Sequence, residues 1–183
     1  AEADGLNPKF QIADAEELPF ADGSFDAAAS TFGVMFAPNQ TKAASEMMRV
    51  VRKGGTIGLA NWTPSGFIGG LLKVVSTYMP PPAGLASPVM WGTGMHLETL
   101  FGEEVEEMAI SCKNFFFRYR SADHWLDTFR QFYGPLHKAY ENLDESGRES
   151  LTRDVKALIA CTNQSGDDSM LVPAEYLEVV ITR

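Results

Sequence analysis

A mainly parallel α/β sheet is the fold class this sequence predicts, and three observations predict it. The run Phe25–Phe32 reads as a strand, a helix starts after Pro38-Asn39, Gly54-Gly55 stops it, and Thr56–Asn61 is a second short buried run. Strand, helix, strand at this spacing is a right-handed parallel crossover. Upstream, Phe10–Ala13 reads as a further strand that ends in the acidic turn Asp14-Ala15-Glu16-Glu17. Carboxylates at strand ends in open α/β sheets lie where such sheets bind ligands. Downstream, Tyr176–Thr182 alternates as a last strand.

Each element has a local reason. Asp4-Gly5-Leu6-Asn7-Pro8 resembles a helix tail closed by a glycine and broken by a proline. Pro19 bars a helix or central strand and biases Leu18 toward an extended backbone, while Asp22-Gly23 is a turn pair because glycine takes positive φ without a steric cost. The small residues of Phe25–Phe32 suit a strand covered on both faces. Asn39 is a good N-cap, Ala43, Met47, Met48 and Val51 form an apolar stripe, and Arg49, Arg52 and Lys53 sit at the negative end of the helix dipole.

Residues 62–104 are different. Their stretch from Trp62 to Gly94 holds Pro80-Pro81-Pro82, several glycines and two tryptophans around a short helix near Ile68–Tyr78, as expected of a substrate-shaping insertion or a surface connection. Met95–Phe101 is a short helix, Val105–Arg120 a strand, and Ser121-Ala122-Asp123 caps a helix running to Gly134-Pro135. Helical stretches at Leu136–Leu143 and Glu145–Thr162 follow. A single domain over 1–183 is expected, and 45% apolar residues suffice for a core.

A net charge of −9 argues against nucleic acid or an anionic membrane as partner. The longest apolar run, Gly66–Met79, is broken by Lys73 and falls short of the about 20 residues that a span requires. Cys112 and Cys161 lie far apart, which suggests buried reduced thiols in a cytoplasmic protein. His96, His124 and His137 share no ligand spacing with each other or with cysteine, so no metal site is expected. Gly92-Thr93-Gly94 begins like a dinucleotide fingerprint, but Leu97 stands at the third glycine position and no strand precedes it.

Asp14-Ala15-Glu16-Glu17-Leu18-Pro19-Phe20, the following Ser24-Phe25-Asp26, and Arg49-Val50-Val51-Arg52-Lys53-Gly54-Gly55 resemble class I S-adenosylmethionine-dependent methyltransferases. The likeness is to the type 11 and ubiquinone/menaquinone-biosynthesis C-methyltransferase subgroup, strong over residues 9–61 and topological beyond. It implies a Rossmann-like sheet, mostly parallel with an antiparallel last strand, and S-adenosyl-L-methionine as cofactor. It also implies that Asp14 accepts the adenine amine, that the backbone of Ala15 reads the ring edge and that Leu18 covers an adenine face. Thr31 would contact the cofactor near the transferred methyl, with Phe32 packed beside it. The structural alternative for Asp14 is a cap on the Glu16-Glu17 turn, and for Thr31 a strand end without a ligand.

Phe36, Trp62 and Trp91, with Met35, are candidates for the wall of a substrate pocket, since aromatic faces attract a sulfonium; lone aromatics serve equally as core. His124, behind its Ser121 cap, is a candidate base by analogy, but no catalytic residue is identified, and in-line methyl transfer depends more on alignment and desolvation than on acid–base help.

The resemblance also places a first strand with a Gly-rich loop, and an acidic residue ending a second, ahead of residue 1. The fold would then be incomplete at its N-terminus, with a gap between the strands at 10–13 and 25–32. That gap would be resolved by a longer chain, by direct pairing of the two strands, or by another copy in a homo-oligomer. The function expected is methyl transfer to a small-molecule acceptor. A non-catalytic methyltransferase-like module binding through residues 62–104 is the alternative, and a nicotinamide-dependent enzyme is disfavoured by the Leu18-Pro19-Phe20 string.

Overall fold

The computed structural model describes residues 4–102 and 105–183. Its sheet has four strands, β1 (Phe25–Thr31), β2 (Val51–Trp62), β3 (Glu107–Tyr119) and β4 (Met170–Thr182), in the spatial order β1-β2-β4-β3. β1 and β2 pair parallel, and β4 lies antiparallel between β2 and β3, so every strand except β4 runs one way. This is the mixed sheet, antiparallel at its last strand, that the sequence led us to expect.

Helix α1 (Gln40–Val50) makes the crossover between β1 and β2. Asn39 caps it, its side chain accepting from the Lys42 amide at 3.0 Å. The glycine pair does not end this helix. Val51 is already extended, and Gly54, at φ +69°, shapes a bulge inside β2: Phe25 faces Val51 while Ala27 faces Thr56.

α2 (Phe67–Tyr78), α4 (Ala122–Phe132), α5 (Gly134–Asn142) and α6 (Glu145–Thr162) pack on one another beyond the sheet's end. α1 and α3 (Gly94–Phe101) pack together on one face of the sheet, where Ile57, Leu59, Val179 and Ile181 are fully or almost fully buried. A short 3-10 turn, Pro88–Gly92, presses against the end of β2. Glycine at 92 is required by that approach, because a Cβ there would lie 2.1 Å from the Trp62 carbonyl oxygen.

Several sequence expectations are corrected. Phe10–Ala13 is not a strand. Phe10 and Ile12 are 88% and 102% exposed, and no strand among the described residues lies beside them to satisfy their backbone. The strands once expected at 10–13 and 25–32 therefore do not pair. β1 is not covered on both faces either: Ala27, Ala29 and Thr31 are exposed, and so are Val180 and Glu178 on the same side of the sheet. The cysteines are exposed rather than buried, and both are free. β4 starts at Met170, six residues before the alternation at Tyr176 becomes legible. Its register with β2 ends at Tyr176, so Pro173 sits where the strand pairs only with β3 and a missing N–H is tolerated. The helix tail proposed ahead of Gly5 lies largely outside the described residues.

Candidate functional site

The acidic turn is held by an ion pair of which the sequence offers only Arg49, and that for the helix dipole. Glu46 of α1 is 4% exposed; its carboxylate accepts from Arg49 Nε and Nη2 at 2.8 Å each and from the Leu18 N–H at 2.7 Å. Arg49 then donates to the carbonyls of Leu18 (2.9 Å) and Phe20 (2.7 Å) and to Asp22 (2.8 Å). The backbone around Pro19, which cannot join a sheet, thus gains partners from one helix. The Arg49 guanidinium, aided by the Leu18 N–H, holds the Glu46 carboxyl down at about 2 against the opposing effect of burial, while Glu46 and Asp22 push Arg49 upward. Glu46 lies three residues before Arg49 on α1, a spacing that places the two on one helix face, and this was the available sequence signal.

Asp14 folds back on its own turn, with Oδ1 accepting the Glu16 amide at 2.9 Å and its carbonyl accepting the Glu17 amide at 3.1 Å. This is the capping arrangement named as the structural alternative, and it leaves the exposed carboxylate a second oxygen. No hydrogen bond within the described residues engages the Ala15 N–H, and the Leu18 side chain packs partly buried against the core. Glu16 accepts the Asn39 N–H at 2.6 Å, which ties the turn to the start of α1.

At the carboxyl end of the parallel pair, Thr31 is exposed and its hydroxyl has no partner among the described residues. Phe32 has φ +56°, a strained conformation for a bulky residue. Three contacts hold it there: its N–H donates to the Ala60 carbonyl at 2.8 Å, its ring stacks on Trp62 with centroids 3.7 Å apart and planes 6° off parallel, and Tyr176 meets it edge-on at 5.5 Å. Trp62 is 6% exposed and also meets Tyr176, Phe115 and Phe117. Beside it, Glu175 accepts from the hydroxyls of Thr63 (2.7 Å) and Ser65 (3.0 Å), and those bonds, with one from Cys112, hold its carboxyl below the usual range. Asn61 is wholly buried on the α1/α3 side, and neither amide atom has a partner among the described residues.

The other candidate aromatics divide. Met35 and Trp91 are wholly buried; Trp91 packs edge-on against Phe101 and belongs to the core. Phe36 is 37% exposed and meets Tyr133 at 6.5 Å, whose hydroxyl is buried with no partner among the described residues and whose phenol is pushed upward by burial. Phe36 also lines a cavity of about 670 Å3 with residues of α2, the Pro80–Val89 loop and the start of α5. Most of this cavity's wall comes from the insertion that the sequence singled out, between Pro64 and Val89. The loop's far end is tied down by the buried Gln40, whose amide donates to the Ser87 carbonyl at 3.1 Å while its oxygen meets His96 Nε2 at 2.7 Å. His124 lies elsewhere, its ring against Tyr119 and Arg120, and no group of three or more His, Cys, Asp or Glu among the described residues is arranged to hold a metal. No helix among those residues is long and apolar enough to cross a membrane.

Comparison with known proteins follows the same division of the chain. Residues 1–59 match the protein family described as a methyltransferase domain. An uncharacterised protein of Mycobacterium tuberculosis is 38% identical over 172 residues, 93% of this chain and 63% of that protein. A demethylmenaquinone methyltransferase of Thermus thermophilus is 38% identical over 84 residues, 46% of this chain and 31% of its own. The crystal structure of the YcgJ protein from Bacillus subtilis superposes with a TM-score of 0.60 at 16% identity, covering 100% of this chain and 74% of the other. A putative methyltransferase from Bacillus halodurans gives 0.56 at 17%, covering 98% and 74%. At those identities the structural likeness is one of fold. The chain thus spans less than two thirds of the length of the mycobacterial relative.

Proposed function

We propose that the protein, whose residues 1–59 match the methyltransferase-domain family, transfers a methyl group from S-adenosyl-L-methionine to a small-molecule acceptor. The observation that carries this reading is the fixed acidic turn. Leu18 is bonded at both its N–H and its carbonyl by the Glu46–Arg49 pair, so Asp14, Ala15 and Leu18 stand on a backbone held by α1. An outward carboxylate, a free amide and an apolar side chain within five residues fit the three demands of an adenine: its amine, its ring edge and its face.

S-adenosylmethionine supplies a methyl carbon made electrophilic by its sulfonium. The chain's own residues then have the tasks of holding, aligning and drying. Asp14 accepts from the adenine amine, the Ala15 N–H donates to the ring edge and Leu18 packs on it. Thr31, with its free hydroxyl, and Phe32, fixed against Trp62, stand at the strand end nearer the reacting group. The insertion at 62–104 shapes the acceptor's place, with Phe36 and Trp62 between it and the cofactor side. No side chain is assigned as a general base.

The test is calorimetric titration of S-adenosylhomocysteine into the full-length protein. Asp14→Ala removes a charge-assisted hydrogen bond of about 1.5–3 kcal/mol, so affinity is expected to fall roughly 10- to 150-fold. Unchanged affinity would take the adenine from Asp14. No binding by the full-length protein would end the methyl-transfer reading and leave a methyltransferase-like module that binds a partner through residues 62–104.

A further inference from the structure

We propose that the cavity between α2, the proline loop and α5 takes an acceptor made of an apolar body and one anionic group, with Lys73 and Lys138 facing the anion. The proposal rests on the methyl-transfer reading and names its substrate class. The walls supply the apolar half: Leu72, Val75, Met79, Leu85 and Val89 contribute to the lining, and Pro80-Pro81-Pro82 adds side chains and no backbone donors. A volume of about 670 Å3 lies within the roughly 300–1,000 Å3 of sites that enclose small molecules.

The charge is the more specific feature. Among the described residues Lys73 and Lys138 are the only charged ones of the lining, with no aspartate or glutamate beside them. The whole chain has 24 acidic against 15 basic residues, so a wall whose charges are all positive runs against its composition. Neither ammonium pairs with a carboxylate among the described residues, although α2 and α5 lie in a protein rich in them. The lysines stand on two different helices that both border the cavity, so a ligand anion at its mouth would be met from two sides. A cationic or purely apolar ligand would leave them facing nothing or facing like charge.

The cavity also has the right neighbour. Phe36, which lines it, lies five residues after Thr31 and three before Asn39, whose N–H is held by Glu16 of the acidic turn. A single short segment therefore joins the adenine-side turn, the end of β1 and the cavity wall. An apolar body in the cavity would present its far end toward that segment, with its anion at the lysines.

The probe is sodium dodecanoate, titrated calorimetrically below its micellar concentration, with dodecyltrimethylammonium as the charge-reversed control and S-adenosylhomocysteine titrated in parallel. Dodecanoate is expected to bind at least tenfold tighter than the cation. The double variant Lys73→Gln/Lys138→Gln is expected to remove that preference, and Ser76→Trp, placed on the α2 wall, to abolish binding while homocysteine-nucleoside binding stays intact. Equal binding of both amphiphiles, or dodecanoate binding indifferent to Ser76→Trp, would overturn the proposal. S-adenosylhomocysteine binding without dodecanoate binding would remove this acceptor class and leave the methyltransferase reading standing. Dodecanoate binding with no S-adenosylhomocysteine binding would remove the acceptor role itself.

Discussion

The acidic turn and the proline loop both meet the segment between Phe32 and Asn39, yet they are held in different ways. The turn is fixed by charge: one buried carboxylate, one guanidinium and four backbone groups between Leu18 and Phe20 and at Asn39. The loop is fixed by shape, with prolines whose nitrogens need no acceptor and a single buried amide, Gln40, at its far end. A surface that must read one constant ligand gains from rigid charged bonds, whereas a surface that must fit one acceptor among many gains from a wall that sequence can change without rewiring. The difference predicts which readouts each perturbation moves.

The largest effect is expected at Arg49. Arg49→Met removes the guanidinium from the buried Glu46, leaving it only Lys42 at 3.8 Å, and frees the carbonyls of Leu18 and Phe20. The loss of stability, to be read from urea unfolding, should exceed that of every variant below, and S-adenosylhomocysteine affinity should fall with it. The same pair sets an acid limb. The folded Glu46 pKa, about 2, lies below its ordinary 4.5, so its stabilisation is complete above pH 4.5 and is lost as pH falls toward 2. Glu46→Gln should flatten that part of the stability–pH curve; an unchanged curve would mean that other carboxylates govern acid unfolding.

At Gln40 the readouts should cross over. Gln40→Ala takes the side-chain donor from the Ser87 carbonyl, which keeps the Met90 N–H, and leaves the His96 ring without its partner, a cost of about 1–3 kcal/mol. Hydrogen exchange should quicken in the loop before Pro88, and dodecanoate binding should weaken, with S-adenosylhomocysteine affinity kept within about twofold, well under the about 1.4 kcal/mol that a tenfold change represents. If both ligands weaken together, the two regions are one mechanical unit and the contrast drawn above fails.

How much was legible follows from the same contrast. The acidic turn and α1 were readable because the turn sits in a continuous string, Asp14 to Phe20, and because α1 carries its own cap and stripe. The strand expected at Phe10–Ala13 failed because alternation supplies a face but not a neighbour, and none of the described strands adjoins it. Glu46 was missed because a lone glutamate on a helix reads as surface until Leu18, twenty-eight residues away, is seen to bond it. Trp91 was unreadable in a similar way, since an aromatic in a loop looks alike whether it lines a pocket or fills the core. The cavity could be located to residues 62–104, but Pro135, Lys138 and Ala139 of its wall come from α5 and only the fold brings them there.

The smallest effect tests whether the turn and α1 are linked at a second point. The first turn of α1 carries no acidic side chain, so its positive dipole end lacks the usual internal complement. Glu16 supplies one from outside the helix, accepting the Asn39 N–H at 2.6 Å while the Asn39 side chain accepts from Lys42. Glu16→Ala should cost about 0.5–1 kcal/mol, less at 1 M salt, and Asn39→Ala about 1 kcal/mol through the lost cap. The Asn39 N–H survives in Asn39→Ala, so the two losses should add within about 0.5 kcal/mol in the double variant. A larger coupling would mean that the Asn39 side chain orients the amide for Glu16. No effect of Glu16→Ala at low salt would leave Glu46 and Arg49 as the hold on the acidic turn, and would make that turn depend on one ion pair.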